Sequence, residues 1–144
     1  MVLEAQQLVG TWSLVSAHAR AADVTDEAPY GDAPRGVLTY TADGRVVAMV
    51  SYSDRARLSG DRVAAPVEER AAAFATFFAY AGRFAVREAS VVHHVEVSSV
   101  ENWVGTELVR LVELVGRRLT LRTPPVSVGG EVRVTELVWD RLEA

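Results

Sequence analysis

Short runs in which apolar and polar residues alternate, separated by turn residues, recur along most of this chain. Such alternation predicts β-strands, because successive side chains of a strand point to opposite faces. Asp43 and Gly44, between the second and third runs, are typical of a hairpin turn. The predicted strands are residues 8–18, 36–41, 45–52, 83–87, 90–99, 105–114, 119–123 and 131–142. Eight strands with mostly short connections predict an all-β fold, an antiparallel barrel whose closure leaves no exposed strand edge.

Residues 66–81 (PVEERAAAFATFFAYA) break the alternation and predict the only helix, between the third and fourth strands. Pro66 suits a first helical position, Glu68 and Glu69 suit the positive end of the helix dipole, and Gly82 suits a helix end. One face of the predicted helix is apolar and comprises Val67, Ala71, Phe74, Phe78 and Ala81. We expect this face to pack on a sheet or to close one end of the barrel.

Composition excludes several classes of function. The 144 residues are 49% hydrophobic, enough for one core, and we expect a single domain over residues 1–144. The absence of cysteine excludes disulfides and thiolate sites, and the absence of lysine excludes a Schiff base and a P-loop. The net charge of −4, without a basic cluster, argues against nucleic-acid binding.

Neither a membrane span nor a metal site is expected. No apolar run reaches the ~18 residues that a span needs, and the first residues lack the basic and apolar regions of a signal peptide. We therefore expect a cytoplasmic protein that does not bind membranes. His93 and His94 are adjacent and point to opposite faces of a strand, which does not suit one metal ion, so we expect no metal and no cofactor.

Alternation also assigns an inner face to the early strands. On the first strand the inward set contains the large apolar Trp12, and the set is Gly10, Trp12, Leu14, Ser16 and His18. On the second and third strands, which the hairpin turn places in register, the inward set is Leu38, Tyr40, Val46, Ala48, Val50 and Tyr52.

The strands at 90–99 and 105–114 place two polar groups inside the barrel. The apolar face of the first of them carries His93 among Val91, Val95 and Val97, and leaves His94 and Glu96 outside. A one-residue slip in register would instead bring His94 inside. We expect His93 to be either a hydrogen-bonded core residue or a general acid–base group.

Arg110 is the second inward polar group. Pairing of Leu114 with Leu119 across a short turn puts Arg110 beside His93, with Thr123 opposite. A buried guanidinium needs a partner, because burying an unpaired charge is strongly unfavourable. The alternatives are internal carbonyls, Glu96 across the strand pair, or the anionic group of a ligand.

Six segments, in order, carry a family resemblance. Gly10-Thr11-Trp12 resembles the Gly-X-Trp signature of lipocalins and other calycin barrels. The set LVGTWSLVS, PRGVLTYTADGRV, AFATFFAYAGRF, HHVEVSSVENWVGTELVR, LTLRTPP and LVWDR resembles the bacterial and fungal lipocalin-like domain family over residues 8–141. The resemblance implies an eight-stranded calycin-type barrel around a central cavity, but no particular reaction. It also implies that Arg141 lies over Trp12 and closes one end.

Two hypotheses of function follow. The first is a binding protein that holds a small, largely apolar or amphipathic molecule, with Arg110 orienting a carboxylate or enolate. His93, Tyr40, Tyr52 and Trp103 would line the rest of the ligand-binding site, and Tyr80 is a further source of a phenolic group. The alternative is a cofactor-independent cyclase or isomerase of secondary metabolism, acting on a polyketide- or terpenoid-like intermediate. In that case His93 is the catalytic acid–base group and Arg110 stabilises the oxyanion.

Apolar residues also remain on the predicted outer faces of the strands. They are Val37, Val47, Met49, Val109, Leu111, Val132 and Val138. A contiguous exposed apolar patch usually marks a partner surface, and two-fold pairing is the commonest closed assembly, so we expect a homodimer. A one-residue error in register, which would exchange the inner and outer faces, is the competing explanation.

Overall fold

Strands make up most of the computed structural model, which describes residues 2–21, 27–128 and 131–142. Its strands are β1 (Gly10–Ala21), β2 (Arg35–Tyr40), β3 (Arg45–Ser51), β4 (Phe77–Arg87), β5 (Ser90–Ser98), β6 (Glu107–Val115), β7 (Arg118–Arg122), β8 (Val126–Val128) and β9 (Glu131–Arg141). The helices are α1 (Ala5–Leu8) and α2 (Val67–Ala75), with a 3-10 turn at Glu101–Trp103. Within the described ranges, neither helix is long and apolar enough to cross a membrane.

Eight of these strands close into an antiparallel barrel. Each strand from β1 to β6 pairs with the next, β7 pairs with β9, and β9 pairs back with β1. The short β8, which the sequence pattern does not predict, pairs with the first residues of β9. The prediction of an eight-stranded barrel with a helix between its third and fourth strands is confirmed.

The core follows the predicted alternation in the β2–β3 hairpin. Leu38 and Tyr40 on β2 are buried, as are the alternate residues Val46, Ala48 and Val50 on β3. Tyr40 lies opposite Val46 in the predicted register. Burial of such apolar side chains contributes about 1.5–3 kcal/mol each, so a one-residue slip of this hairpin would be strongly unfavourable.

The predicted helix ends too late. The helix α2 ends at Ala75, and residues 77–81 belong to β4, where Phe78 lies opposite Val50 and Ala79 opposite Met49. Gly82 therefore lies within a strand and does not end a helix. The run Phe77-Phe78-Ala79-Tyr80 contains β-favouring aromatic residues, and its pairing with β3 overrides the helical periodicity.

The shortened helix also loses the predicted packing face. Phe78 and Ala81 lie on β4, and the remaining Val67 and Phe74 of α2 are 65% and 61% exposed. None of the residues of α2 is buried. The expectation that α2 packs on the barrel or closes its end through this face is therefore wrong.

Two register shifts change the predicted faces. On β1 the pairing with β9 shifts between Leu14 and Ser16, so Ala17 and Ala19 are buried instead of Ser16 and His18. On β5 the pairing with β4 shifts at Glu96, so Val97, predicted inside, is 63% exposed. A bulge inserts one residue into a strand and reverses the alternation beyond it.

One end of the barrel is closed around Trp12, as predicted. The Arg141 guanidinium carbon lies 4.1 Å from the Trp12 ring centroid. Its nitrogens donate to the carbonyl oxygens of Val9 at 2.7 Å and Gln7 at 2.6 Å. Gly10 has a φ of 135°, and a Cβ there would lie 2.6 Å from Arg141 Nη1, so the first residue of the Gly-X-Trp motif has to be glycine.

Candidate functional site

A cavity of about 120 Å³ lies inside the barrel. Its wall is mostly apolar, with a small group of polar side chains from β4, β5, β6 and the β7–β9 pair. The lining residues are Tyr30, Leu38, Ala48, Val50, Phe78, Tyr80, His93, Arg110, Leu121, Thr123, Thr135, Leu137 and Trp139. An apolar enclosure with a few convergent polar groups is the usual form of a small-molecule site.

Three buried side chains from adjacent parts of the sheet form a hydrogen-bonded row at the polar end. Tyr40 Oη lies 2.7 Å from His93 Nε2, and Tyr80 Oη lies 2.7 Å from His93 Nδ1. The inward position of each is set by its strand: β2 for Tyr40, β4 for Tyr80 and β5 for His93. His93, and not His94, faces the interior, and it is only 1% exposed.

Burial fixes the charge states in this row. Burial, and then the positive charge of Arg110, lower the pKa of His93 to about 3, so its ring is neutral at pH 7. Burial raises the pKa of Tyr80 to about 12 and that of Tyr40 well above its usual value, although Arg110 acts in the opposite direction on both. Both phenols therefore keep their protons.

Arg110 lines the cavity from β6, as predicted, and its Nη1 donates to the carbonyl oxygen of Val109 at 3.0 Å. Among the described residues no carboxylate lies within 4 Å of its guanidinium. The alternative partner Glu96 is on the outer face, where it pairs with Arg45 and with Arg83 at 3.1 Å. This outward position is the one that alternation along β5 predicts.

Aromatic side chains from a loop and from β4 continue the cavity wall. Tyr30 stacks on Tyr52 with ring centroids 4.6 Å apart and meets Phe78 edge-on at 5.8 Å. Trp103 packs edge-on against Phe78 at 5.5 Å and Tyr80 at 6.1 Å. The predicted Tyr52 and Trp103 thus support the residues that line the cavity and are not part of its lining, and Tyr40 likewise lies behind the lining.

The sequence reasoning missed Tyr30, Phe78 and Trp139 as lining residues. Tyr30 lies in a loop without periodicity, and Phe78 falls in the segment predicted to be helical. Trp139 is 2% exposed, and its Nε1–H has no hydrogen-bond partner among the described residues. Alternation along the last strand was the signal that would have placed Trp139 inside.

The described residues hold no group of three or more His, Asp or Glu side chains that suits a metal ion. The polar inventory of the cavity is instead rich in donors: the Arg110 guanidinium, the Tyr80 hydroxyl and the Trp139 indole. No carboxylate is found among the lining residues in the part of the chain that the structure describes. The arrangement suits a molecule with an apolar ring and at least one strong acceptor oxygen.

Two comparisons with known proteins agree with this architecture. The chain is 37% identical, over 84 residues, to the 4'-hydroxy-3'-methoxypropiophenone carrier protein of Aspergillus oryzae; the match covers 52% of this chain and 76% of that protein. Residues 9–142 match the lipocalin-like domain. This match covers nearly all of the barrel, and the chain therefore belongs to the lipocalin-like domain family.

Proposed function

We propose that this protein is a carrier that binds a small aromatic molecule in the barrel cavity. The observation that carries the proposal is the cavity itself, apolar over most of its wall and donor-rich at one end. Binding of this kind needs no chemical step, only an enclosed site whose few polar groups fix the orientation of the ligand. A cytoplasmic location stays a prediction.

The size of the cavity favours one aromatic ring. An engineered apolar cavity of about 150 Å³ holds benzene, and the volume here is about 120 Å³. A ring would therefore fill the interior, and its substituents would extend between the aromatic side chains of Tyr30 and Phe78 or toward Arg110.

The relative from Aspergillus oryzae supports an aryl ketone as the ligand class. It is named as the carrier of 4'-hydroxy-3'-methoxypropiophenone, a phenol that bears a methoxy group and a ketone. Both the ketone and the phenol oxygen accept hydrogen bonds, which matches the donors at the polar end of this cavity.

Filling the cavity is expected to weaken binding strongly while the fold is retained. Ala48 lines the cavity and is 3% exposed, so Ala48→Leu places three additional carbons where the ligand ring would lie. We expect the affinity for 4'-hydroxy-3'-methoxypropiophenone, measured by calorimetry, to fall by about tenfold or more. The matched control is Ala85→Leu, the same substitution on the outer face of β4, where the side chain is exposed.

Equal binding by both of these variants would place the ligand elsewhere and contradict the proposal. Circular dichroism and thermal unfolding of the two variants establish that each retains the barrel. Failure of the native chain to bind this ketone or its close analogues would exclude the proposed ligand class.

The alternative function, a cofactor-independent cyclase or isomerase, has less support from the geometry. Both ring nitrogens of His93 already make hydrogen bonds, and a pKa of about 3 makes the ring a weak base at neutral pH. Arg110 and Tyr80 remain suited to stabilise an enolate. Conversion of an added polyketide-like intermediate, lost in Arg110→Met, would favour the enzyme over the carrier.

We also propose that two copies pair through the outer face of the β2–β3 hairpin. Val37, Val47 and Met49 are each 40% exposed there. The other apolar residues that were predicted on the outer faces do not extend this surface. Leu111 and Val132 are exposed on β6 and β9, while Val109 and Val138 are half-buried.

Light scattering tests the pairing. The native chain is expected to be a dimer at micromolar concentration and Met49→Glu a monomer, because a charge in an apolar interface is costly to desolvate. A monomeric native chain would contradict the prediction.

A further inference from the structure

We propose that the cavity binds an acylphenol as its phenolate, with the negative oxygen held by the Arg110 guanidinium and the Tyr80 hydroxyl. The inference rests on the proposed function, since it specifies the form in which the proposed ligand class is bound. It is carried by the direction of the hydrogen bonds around His93 and by the charges that face the cavity.

The hydrogen-bonded row has one arrangement in which the proton without a partner in the row faces the cavity and not the core. A neutral imidazole has one N–H donor and one acceptor nitrogen, so one tyrosine donates to His93 and the other accepts from it. Tyr40 is 1% exposed and lies behind the cavity lining, and His93 is the one hydrogen-bond partner of its hydroxyl in the described residues. Tyr40 therefore donates to Nε2.

This assignment sets the direction of the remaining bond. His93 carries its proton on Nδ1 and donates it to the Tyr80 oxygen. The hydroxyl proton of Tyr80 then makes no hydrogen bond to His93. Because Tyr80 lines the cavity, its hydroxyl is a donor available to a bound molecule. In the reverse arrangement, the hydroxyl proton of Tyr40 would be buried in the core without an acceptor.

The charges that face the cavity are unbalanced. The titratable groups there, or directly behind it, are Tyr30 on the loop before β2, Tyr40 on β2, Tyr80 on β4, His93 on β5 and Arg110 on β6. The described lining residues of β3, β7 and β9 contain no titratable group. With the phenols protonated and His93 neutral, Arg110 is the single charge that the described residues bring to the cavity, so the site favours one negative charge on the ligand.

Phenolate fits this site better than carboxylate. A carboxylate concentrates its charge on two oxygens with about four acceptor sites, and removal from water is costly unless most of them are paired. The charge of an acylphenolate is spread over the oxygen, the ring and the conjugated carbonyl. It therefore suits an apolar, aromatic wall with one cation, and the acyl group lowers the pKa of the phenol toward neutrality.

Absorption spectroscopy tests the inference, because the phenolate of an acylphenol absorbs at longer wavelength than the phenol. The probe is 4'-hydroxy-3'-methoxypropiophenone, titrated between about pH 5 and 9 with and without excess protein, below the pKa of about 12 of Tyr30 and Tyr80. We expect the bound phenol to titrate at least about one pH unit below the free one, equivalent to tenfold tighter binding of the phenolate.

Three variants test which residues lower the titration pH of the bound phenol. In Arg110→Met the bound phenol is expected to titrate at or above the pH of the free ligand, because an apolar site favours the neutral form. Arg110→Lys, which keeps the charge but not the planar fork, is expected to restore part of the shift. Tyr80→Phe removes one donor and is expected to reduce the shift, so it tests the inference independently if Arg110→Met does not fold.

The fully methylated analogue, 3',4'-dimethoxypropiophenone, separates this inference from the proposed function, because it has no phenol to ionise. If both ketones bind and the phenol is bound in its neutral form, the inference is overturned and the carrier proposal stands. If neither ketone binds, the carrier proposal fails and the inference fails with it. A shift that persists unchanged in both Arg110→Met and Tyr80→Phe also overturns the inference.

Discussion

Replacing Gly82 with alanine is expected to destabilise the barrel by more than about 3 kcal/mol, because the added methyl group has no space. Gly82 lies on β4 at the point where the register with β5 shifts. A Cβ on this residue would overlap the carbonyl oxygen of His94 and lie 3.1 Å from the amide nitrogen of Glu96. Both obstacles are backbone atoms of the paired strand, so relief requires that β4 and β5 separate.

The matched control for this substitution is Gly60→Ala. Gly60 is exposed, a Cβ there would meet no atom within 4 Å, and its backbone is not in the left-handed region. Its replacement is expected to leave stability within about 0.5 kcal/mol of the native chain. Urea unfolding of the three proteins measures the difference, and a Gly82→Ala variant as stable as Gly60→Ala would show that the bulge is not as tight as the structure indicates.

The bulge at Gly82 also shows where sequence reasoning reaches its limit. Alternation predicts the faces of the β2–β3 hairpin because no residue is inserted there. Only one register buries the apolar side chains of both strands. An inserted residue reverses the faces beyond it, and one extra residue leaves no signal in the pattern of apolar positions. This is why Val97 was misplaced, while His93 and Glu96, whose faces follow the simple alternation, were placed correctly.

The end of α2 was mispredicted for a different reason. Residues 66–81 satisfy the helical period throughout, so periodicity alone does not show where the helix ends. The aromatic run from Phe77 to Tyr80 pairs with β3, and this long-range pairing decides the outcome. Because of this error, neither Phe78 nor Tyr80 was predicted to face inward from a strand. Both residues line the cavity.

The closed end of the barrel was predictable because it rests on a motif. Arg141 is far from Gly10 and Trp12 in sequence, and its contact with Trp12 follows from family resemblance and not from periodicity. The polar row, in contrast, was only half predicted. His93 was expected inside, but its bonds to Tyr40 and Tyr80 depend on the relative positions of three strands, which a single sequence does not specify.

The stability of the protein is expected to fall as the pH falls from about 6.5 toward 3, in part because of His93. An unfolded histidine takes up a proton near pH 6.5, whereas burial and then Arg110 lower the pKa of His93 to about 3 in the folded chain. Between these values the unfolded chain binds more protons than the folded one, so acid favours unfolding. The slope contributed by this one residue reaches about 1.4 kcal/mol per pH unit.

The variant His93→Gln isolates this contribution. Glutamine has one donor and one acceptor group for the two tyrosine hydroxyls but does not ionise, so its own cost in stability does not change with pH. Urea unfolding between about pH 4.5 and 6.5 is expected to give a much flatter profile for His93→Gln than for the native chain. Below that range, acidic groups with lowered pKa such as Glu96 and Asp140 destabilise both proteins alike.

His94→Gln is the control for a general effect of losing a histidine. Its ring is 37% exposed and lies 3.2 Å from Glu107, outside the barrel. It is expected to retain the native slope, because the substitution leaves the buried ring of His93 and its two hydrogen bonds in place. Equal slopes for the native chain and His93→Gln would mean that His93 is protonated in the folded state. The neutral ring on which the hydrogen-bond directions in the row depend would then be absent in this pH range.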